Sequence, residues 1–303
     1  MIIRNKNNTF TLLFAWRGTI LPQVLPEILG LSALSVVLAM VVHYRWLDVP
    51  APPLVGFTIF GVVLSLFLGF RNNACYDRWW EGRKLWGALI ATERHLARDT
   101  AILPPEQREI VLERVIVFVH LLRDRLRVQA AAPELFSRYG QFDENDIIQF
   151  KQHINLPQYC LQQIQNNLIA AHQQKHISDI IYTQLTAHIT SLGSIQAGCD
   201  RIASTPLPFV YSALLRRAVY SFCVMLPFAI HSELGFWTPL MVAWLVYMFL
   251  GLDALSLQLE EPFGTQDNDL PLDSMVILME RELLMSLGRD VPPALVAQDF
   301  YLS

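Results

Sequence analysis

Val62, Leu66 and Phe70 recur at every fourth position near the end of Val49 to Phe70, a stretch without a charged residue. On a helix they share one face. Such side chains make and break no bonds. What they can do, when several copies of the helix surround one axis, is close a water-filled path, because a narrow apolar ring dewets and stops ions. One copy encloses nothing, so this use requires a ring of subunits. The commoner use of the same spacing in a membrane helix is contact with lipid or with another helix. Gly61, Ser65 and Gly69 form an adjacent stripe of small residues, which favours close helix packing.

Directly after Phe70 the chain inverts in character, with Arg71, Asn72, Asn73, Asp77, Arg78, Trp79 and Trp80 following in RNNACYDRWW. Polar groups at the edge of a bilayer need partners or a water-filled cavity. Asp77 with Arg78, and Glu81 with Lys84 or Arg83, are spaced to pair along the helix. The indoles of Trp79, Trp80 and Trp86 suit a membrane interface. An ordinary interfacial anchor is the plain alternative to a polar pore mouth.

Catalytic chemistry finds little support. His172 and His176 lie one helical turn apart with Asp179 further along the same face, which is metal-ligand spacing. No third ligand is fixed, and a solvated helix face explains them as well. There is no nucleotide-binding loop, GxSxG, CxxC or HExxH. The expectation is therefore no enzyme, no catalytic residue, no metal and no cofactor. The intramembrane carboxylates of a proton-coupled transporter are missing too, since Glu27 and Glu233 fall at the ends of apolar runs. Cys75, Cys160, Cys199 and Cys223 show no paired spacing and read as free thiols of a reducing compartment.

The elements that carry these residues are membrane-like. The chain is 53% hydrophobic and only 17% charged, where soluble domains run nearer a quarter charged. Its net charge of −4 gives no reason to expect nucleic acid. The pattern divides into an interfacial segment over 1–20, a span over 21–44, a second span over 53–80 whose apolar part holds the stripe, a helical domain over 81–206, spans over 207–232 and 234–252, and a polar segment over 253–303. Strand signals are nearly absent. Arg108 to Arg127 is amphipathic, and Leu161 to Ile202 continues in the same way; Ala130 to Asp146 reads as a loop or a short helix pair. Lys and Arg crowd residues 4–17 and 71–127, whereas the loop near Asp48 carries only Arg45 and the loop near Glu233 carries neither. Basic loops stay cytoplasmic. The expected fold class is an all-α membrane protein with four transmembrane helices, both termini inside, and a large cytosolic helical domain.

The LGF that closes the apolar stretch and the DRWW beyond it resemble the second transmembrane helix of the bestrophins, and the chain looks like a bacterial bestrophin homologue. PFG at Pro262 to Gly264, followed by acidic residues, is a second match in order and position. The resemblance extends over nearly the whole chain. It implies a homopentameric ion channel with a central pore, whose partners are its own copies, the lipid bilayer and monovalent ions. It places Val62, Leu66 and Phe70 in the pore neck and, by rough position, Ile180 at a second, cytosolic constriction. Asn72, Asn73, Asp77, Arg78, Trp79 and Trp80 become the polar continuation below the neck. The implied location is a bacterial inner membrane. Bacterial members resemble cation channels, and the acidic balance agrees, so the expected cargo is monovalent cations such as sodium. Animal members bind calcium after PFG; here Gln266 stands where a key carboxylate would be and Glu261 replaces an amide, so no tight calcium site is expected, although Asp267, Asp269 and Asp273 remain. A membrane-anchored helical scaffold that binds a cytosolic partner, without conduction, is the alternative function.

Overall fold

A computed structural model describes residues 1–2, 15–44, 46 and 52–303. The basic and apolar residues that define the interfacial segment, Arg4 to Phe14, lie outside the described residues, as does most of the loop after Tyr44. Among the described residues the regular structure is helical: α1 Leu21–His43, α2 Leu54–Asp99, α3 Pro105–Leu126, α4 Pro133–Arg138, α5 Glu144–Gln152, α6 Leu156–Gln173, α7 Asp179–Ser204, α8 Phe209–Leu234, α9 Thr238–Glu260 and α10 Leu272–Ser286. Extended structure amounts to isolated bridges, Ile2 with Tyr301 and Gln298 with Tyr301.

Two compact units emerge. One holds the chain up to Trp79 together with Pro206–Pro262; the other gathers Trp80–Thr205 and Phe263–Ser303 with the first residues of the chain. Helix α2 contributes to both.

In the first unit three stretches are long and apolar enough to cross a membrane: Leu21–His43, the start of the continuous Leu54–Ile102 stretch, and Phe209–Glu260. The last is broken by a 3₁₀ turn at Gly235–Trp237 into α8 and α9, which pack against each other and against α1. Gly235 takes φ +50°, a left-handed conformation that suits a residue without Cβ. Pro22 lies in the first turn of α1, where a missing N–H costs nothing, and Pro227 sits inside α8. The core between these helices is built mainly of apolar side chains. Phe222 stacks on Phe57 at a centroid distance of 4.4 Å and touches Phe249 at 4.8 Å, and Leu64, Leu68, Val219, Val242 and Val246 fill the rest. A Cβ on Gly61 would come within 3.2 Å of the Phe222 ring, so this glycine sets how closely α2 and α8 approach.

The second unit is built around α3. Every side chain from Val111 to Val119 is buried, all round the helix, with α6, α7 and α10 packed on it. The expected one-sided amphipathic pattern is therefore incomplete: Glu113 and Arg114 look like a solvent face in sequence but are 2% and 7% exposed. A loop glycine reconciles them with burial. Gly140 N–H donates to Glu113 Oε2 at 2.9 Å, and its carbonyl accepts from Arg114 Nε at 3.0 Å. Gly140 has φ +87°, and a Cβ there would lie 2.4 Å from the Phe142 ring, so no other residue fits. Truncating Phe118, fully buried in this helix, removes contacts of the kind whose loss costs about 3–5 kcal/mol. The long pattern from Leu161 to Ile202 is not one helix. It breaks after Gln173, where Lys175 takes φ +60°, and α7 restarts with Ser178 as N-cap, its hydroxyl accepting from Ile181 N–H. Cys160 and Cys199 are buried here, and burial pushes the Cys199 thiol up to about 12, so neither is a reactive thiolate at neutral pH.

Candidate pore-lining helix and its polar base

The N-terminal part of α2 has two opposite faces. Phe57, Leu64, Leu68, Arg71 and Cys75 follow heptad spacing and are buried against the helices of the first unit. Val62, Leu66 and Phe70 lie on the other side and are 63%, 56% and 56% exposed. The exposed stripe continues through Asn73, Asp77 and Trp80. Phe67 meets Phe70 edge-on at 6.5 Å between ring centroids. Of the small stripe, only Gly61 is packed within the chain. Ser65 is exposed with its hydroxyl returned to Val62 O at 2.8 Å, and a Cβ on Gly69 would meet nothing within 4 Å.

The residue after Phe70 anchors this face. Arg71 is 1% exposed and donates through Nη1 to Asp253 of α9, itself 4% exposed. Arg216 of α8 reaches the second Asp253 oxygen at 3.2 Å, and Glu260 Oε2 lies 3.8 Å from Arg71. Asn72 donates to Leu68 O at 3.0 Å and to Leu252 O at 3.4 Å. Arg78 donates to the Glu260 carbonyl at 3.2 Å, and no Asp77–Arg78 pair forms. Two guanidinium groups from α2 and α8 thus converge on one buried carboxylate where the apolar run ends. A buried charge without such a partner is strongly destabilising. Sequence reasoning asked for a partner at Arg71 but did not find Asp253. The usable signal was that Asp253 is the first acid after the last apolar run, hence at the matching depth.

In the second unit, Trp79's neighbour Trp80 is 46% exposed, and Glu81 pairs with Arg201 instead of with Lys84 or Arg83. Ile180, in the first turn of α7, is 78% exposed, which excludes a role as core within the chain. His172 bonds to Asp179 at 2.7 Å while His176 turns to Gln107 at 3.1 Å, so the three do not converge. Among the described residues no group of three or more His, Cys, Asp or Glu could hold a metal. Asp273 accepts from both Arg123 and Arg127, and Asp269 Oδ2 accepts the Gln266 N–H at 2.7 Å.

This is an all-helical, multi-pass membrane protein with one helix face of bulky apolar side chains left open. Comparison with known proteins agrees. The bacterial and fungal bestrophin family matches residues 1–285. A voltage-dependent anion channel-forming protein of Mesorhizobium japonicum is 38% identical over 306 residues, covering 100% of this chain and 97% of that protein. The voltage-dependent anion channel-forming protein YneE of Escherichia coli is 35% identical over 303 residues, covering 99% and 98%. The crystal structure of a bacterial bestrophin homologue from Klebsiella pneumoniae superposes with a TM-score of 0.80 at 31% identity, over 90% of this chain and 100% of that one. The chain belongs to the bacterial bestrophins, a family of ion channels and not of enzymes.

One expectation is overturned. Conduction of cations such as sodium does not stand against full-length relatives that are designated anion channel-forming proteins. The net charge of −4 was a poor guide, because selectivity depends on charges along the path and not on their sum over the chain. Several of the acidic groups are tied up in ion pairs, Asp253 with two arginines and Asp273 with two more.

Proposed function

We propose that several copies of this chain, five on the family resemblance, surround a central pore lined by α2 and conduct anions in a voltage-dependent way. The names of the full-length relatives supply the ion class and the voltage dependence. The observation that carries the pore is the exposure of Val62, Leu66 and Phe70 on a helix whose opposite face is packed. In a ring they form an apolar neck that dewets when closed. In this reading α1, the apolar part of α2, α8 and α9 make four crossings of a bacterial inner membrane, with both termini cytoplasmic. Asn72, Arg78, Trp79 and Trp80 support the helix below the neck, and Ile180 forms a second constriction.

Asn73 and Asp77 lie exposed on the stripe below Phe70, and Asp77 has no ion-pair partner among the described residues. The Asn73 amide offers N–H groups to a passing anion, whereas a ring of Asp77 carboxylates opposes it. The experiment is conductance of the purified protein in planar bilayers under a KCl gradient. Leu66→Ala widens and wets the neck, and single-channel conductance rises several-fold. Asp77→Asn moves the reversal potential toward that of chloride. A monomer in solution, or currents unchanged by alanine at Val62, Leu66 and Phe70 together, would remove these side chains as the barrier.

A further inference from the structure

Between the start of α8 and the end of α9 lies a cavity of about 470 Å³, within the range of small-molecule sites. Arg71, Ser212, Arg216, Arg217, Glu260 and Glu261 are its polar lining, and Leu207, Phe209 and Leu257 are among the apolar residues beside them. Most of the charges are already matched. Arg71 and Arg216 share Asp253, and Glu260 accepts the Leu207 N–H at 3.0 Å while facing Arg71. Two charges of opposite sign are left over, Arg217 and Glu261, both exposed and neither paired among the described residues. Two further polar atoms are shut off from water with nothing to bond: Arg71 Nε, on a side chain 1% exposed, and Ser212 Oγ. At the mouth, Phe209, Val210 and Leu214 are 82%, 77% and 64% exposed and give an apolar apron.

We propose that this cavity binds a phospholipid headgroup carrying both a phosphate and a primary ammonium, the phosphoethanolamine class. Its position, where the apolar runs of α2, α8 and α9 turn polar, is headgroup depth. The phosphate takes the bidentate fork of Arg217, and a turn of the Ser212 rotamer brings its unpartnered hydroxyl to the same group. The ammonium donates to Glu261, and the acyl chains run over the apron. A purely anionic headgroup leaves the Glu261 carboxylate facing a negative charge. A trimethylammonium has no N–H to give it.

The test counts bound lipid by native mass spectrometry on the full-length, delipidated protein, titrated with phosphatidylethanolamine, phosphatidylglycerol or phosphatidylcholine, and separately with soluble phosphoethanolamine. Phosphatidylethanolamine binds about tenfold more tightly than the other two lipids, and Arg217→Gln and Glu261→Gln each remove about that factor. Glu261→Gln also narrows the gap to phosphatidylglycerol. Both positions are exposed, so thermal melts of the variants match the parent. Equal binding of all three lipids by parent and variants overturns the proposal. So does soluble phosphoethanolamine binding as tightly as the lipid, which makes the ligand a free metabolite. Cysteine cross-linking from position 217 to a second copy overturns it as well, by showing the cavity filled by a neighbouring subunit. None of these readouts depends on conduction, so their failure leaves the channel reading untouched, and a silent channel leaves the lipid site standing.

Discussion

The two units of this chain handle charge in opposite ways. In the unit of apolar helices, polarity is concentrated: Arg71, Arg216, Asp253 and Glu260 cluster where the apolar run of α2 ends, and the interior beside them is apolar. In the other unit ion pairs are many and dispersed. Arg123 and Arg127 hold Asp273, His120 holds Glu280, Arg125 holds Asp200, and Arg289 holds both Glu109 and Glu113. Solvent explains the contrast. Lipid cannot solvate a stray charge, so charges near it are few and mutually committed. Water tolerates imperfect pairs, so those whose side chains are exposed are individually dispensable.

The contrast breaks most easily at Asp253. Asp253→Ala strands two guanidinium groups, one of them 1% exposed, and the expected loss is about 3–5 kcal/mol. Thermal unfolding in detergent reads it. Adding Arg71→Met restores part of the loss, because an apolar pair avoids desolvating either charge. A loss below about 1 kcal/mol would mean that the cluster is hydrated and no different from the pairs elsewhere.

Asp273 is the intermediate case. Burial pushes its carboxyl up, but Arg127 and Arg123 outweigh this and hold it below the usual 3.8. A folded-state value below the unfolded one means stability that is present above about pH 4 and lost as pH falls through the folded value. Asp273→Asn therefore costs about 2 kcal/mol at pH 7, with Arg127 only 5% exposed and left without it. The gap between parent and variant stays constant from pH 5 to 8 and closes below pH 4. Denaturation curves across that range check the sign. A gap that widened toward acid would reverse it.

Much of the apolar half was legible in sequence because lipid enforces a simple rule: uncharged runs, ended by charge. The every-fourth spacing of Val62, Leu66 and Phe70 was visible as well, but a pore role for it rested on the family resemblance. What stayed hidden was pairing at long range. Arg71 and Asp253 are 182 residues apart, and no local pattern joins them. In the other unit Glu113 and Arg114 disguised a buried helix as an amphipathic one, since their partners, Gly140, Arg289 and the Gln163 carbonyl, all lie far along the chain. The break after Gln173 carries no proline, and its Lys175 in left-handed conformation is not a residue that announces a turn. Ion selectivity was the worst served, because total charge averages over groups that never meet the permeating ion.

The smallest effect is the sharpest test of dispersal. Arg94 and Glu282 form the best-shaped pair of the second unit, two parallel bonds of 2.6 Å each, yet their side chains are 53% and 33% exposed. Geometry argues for a strong pair and exposure for a weak one. Exposed ion pairs measured by double-mutant cycles give about 0.2–1 kcal/mol, and screening lowers this further in salt. Arg94→Gln, Glu282→Gln and the double variant should show coupling inside that range, falling toward zero in 1 M NaCl where the screening length is about 3 Å. Neighbouring Glu93 does not disturb the pair at neutral pH: burial, with the Glu282 charge beside it, pushes its carboxyl up to about 9 and keeps it uncharged. Coupling above about 2 kcal/mol, insensitive to salt, would show that water does not screen this site. The second unit would then hold charge in the same committed way as the first.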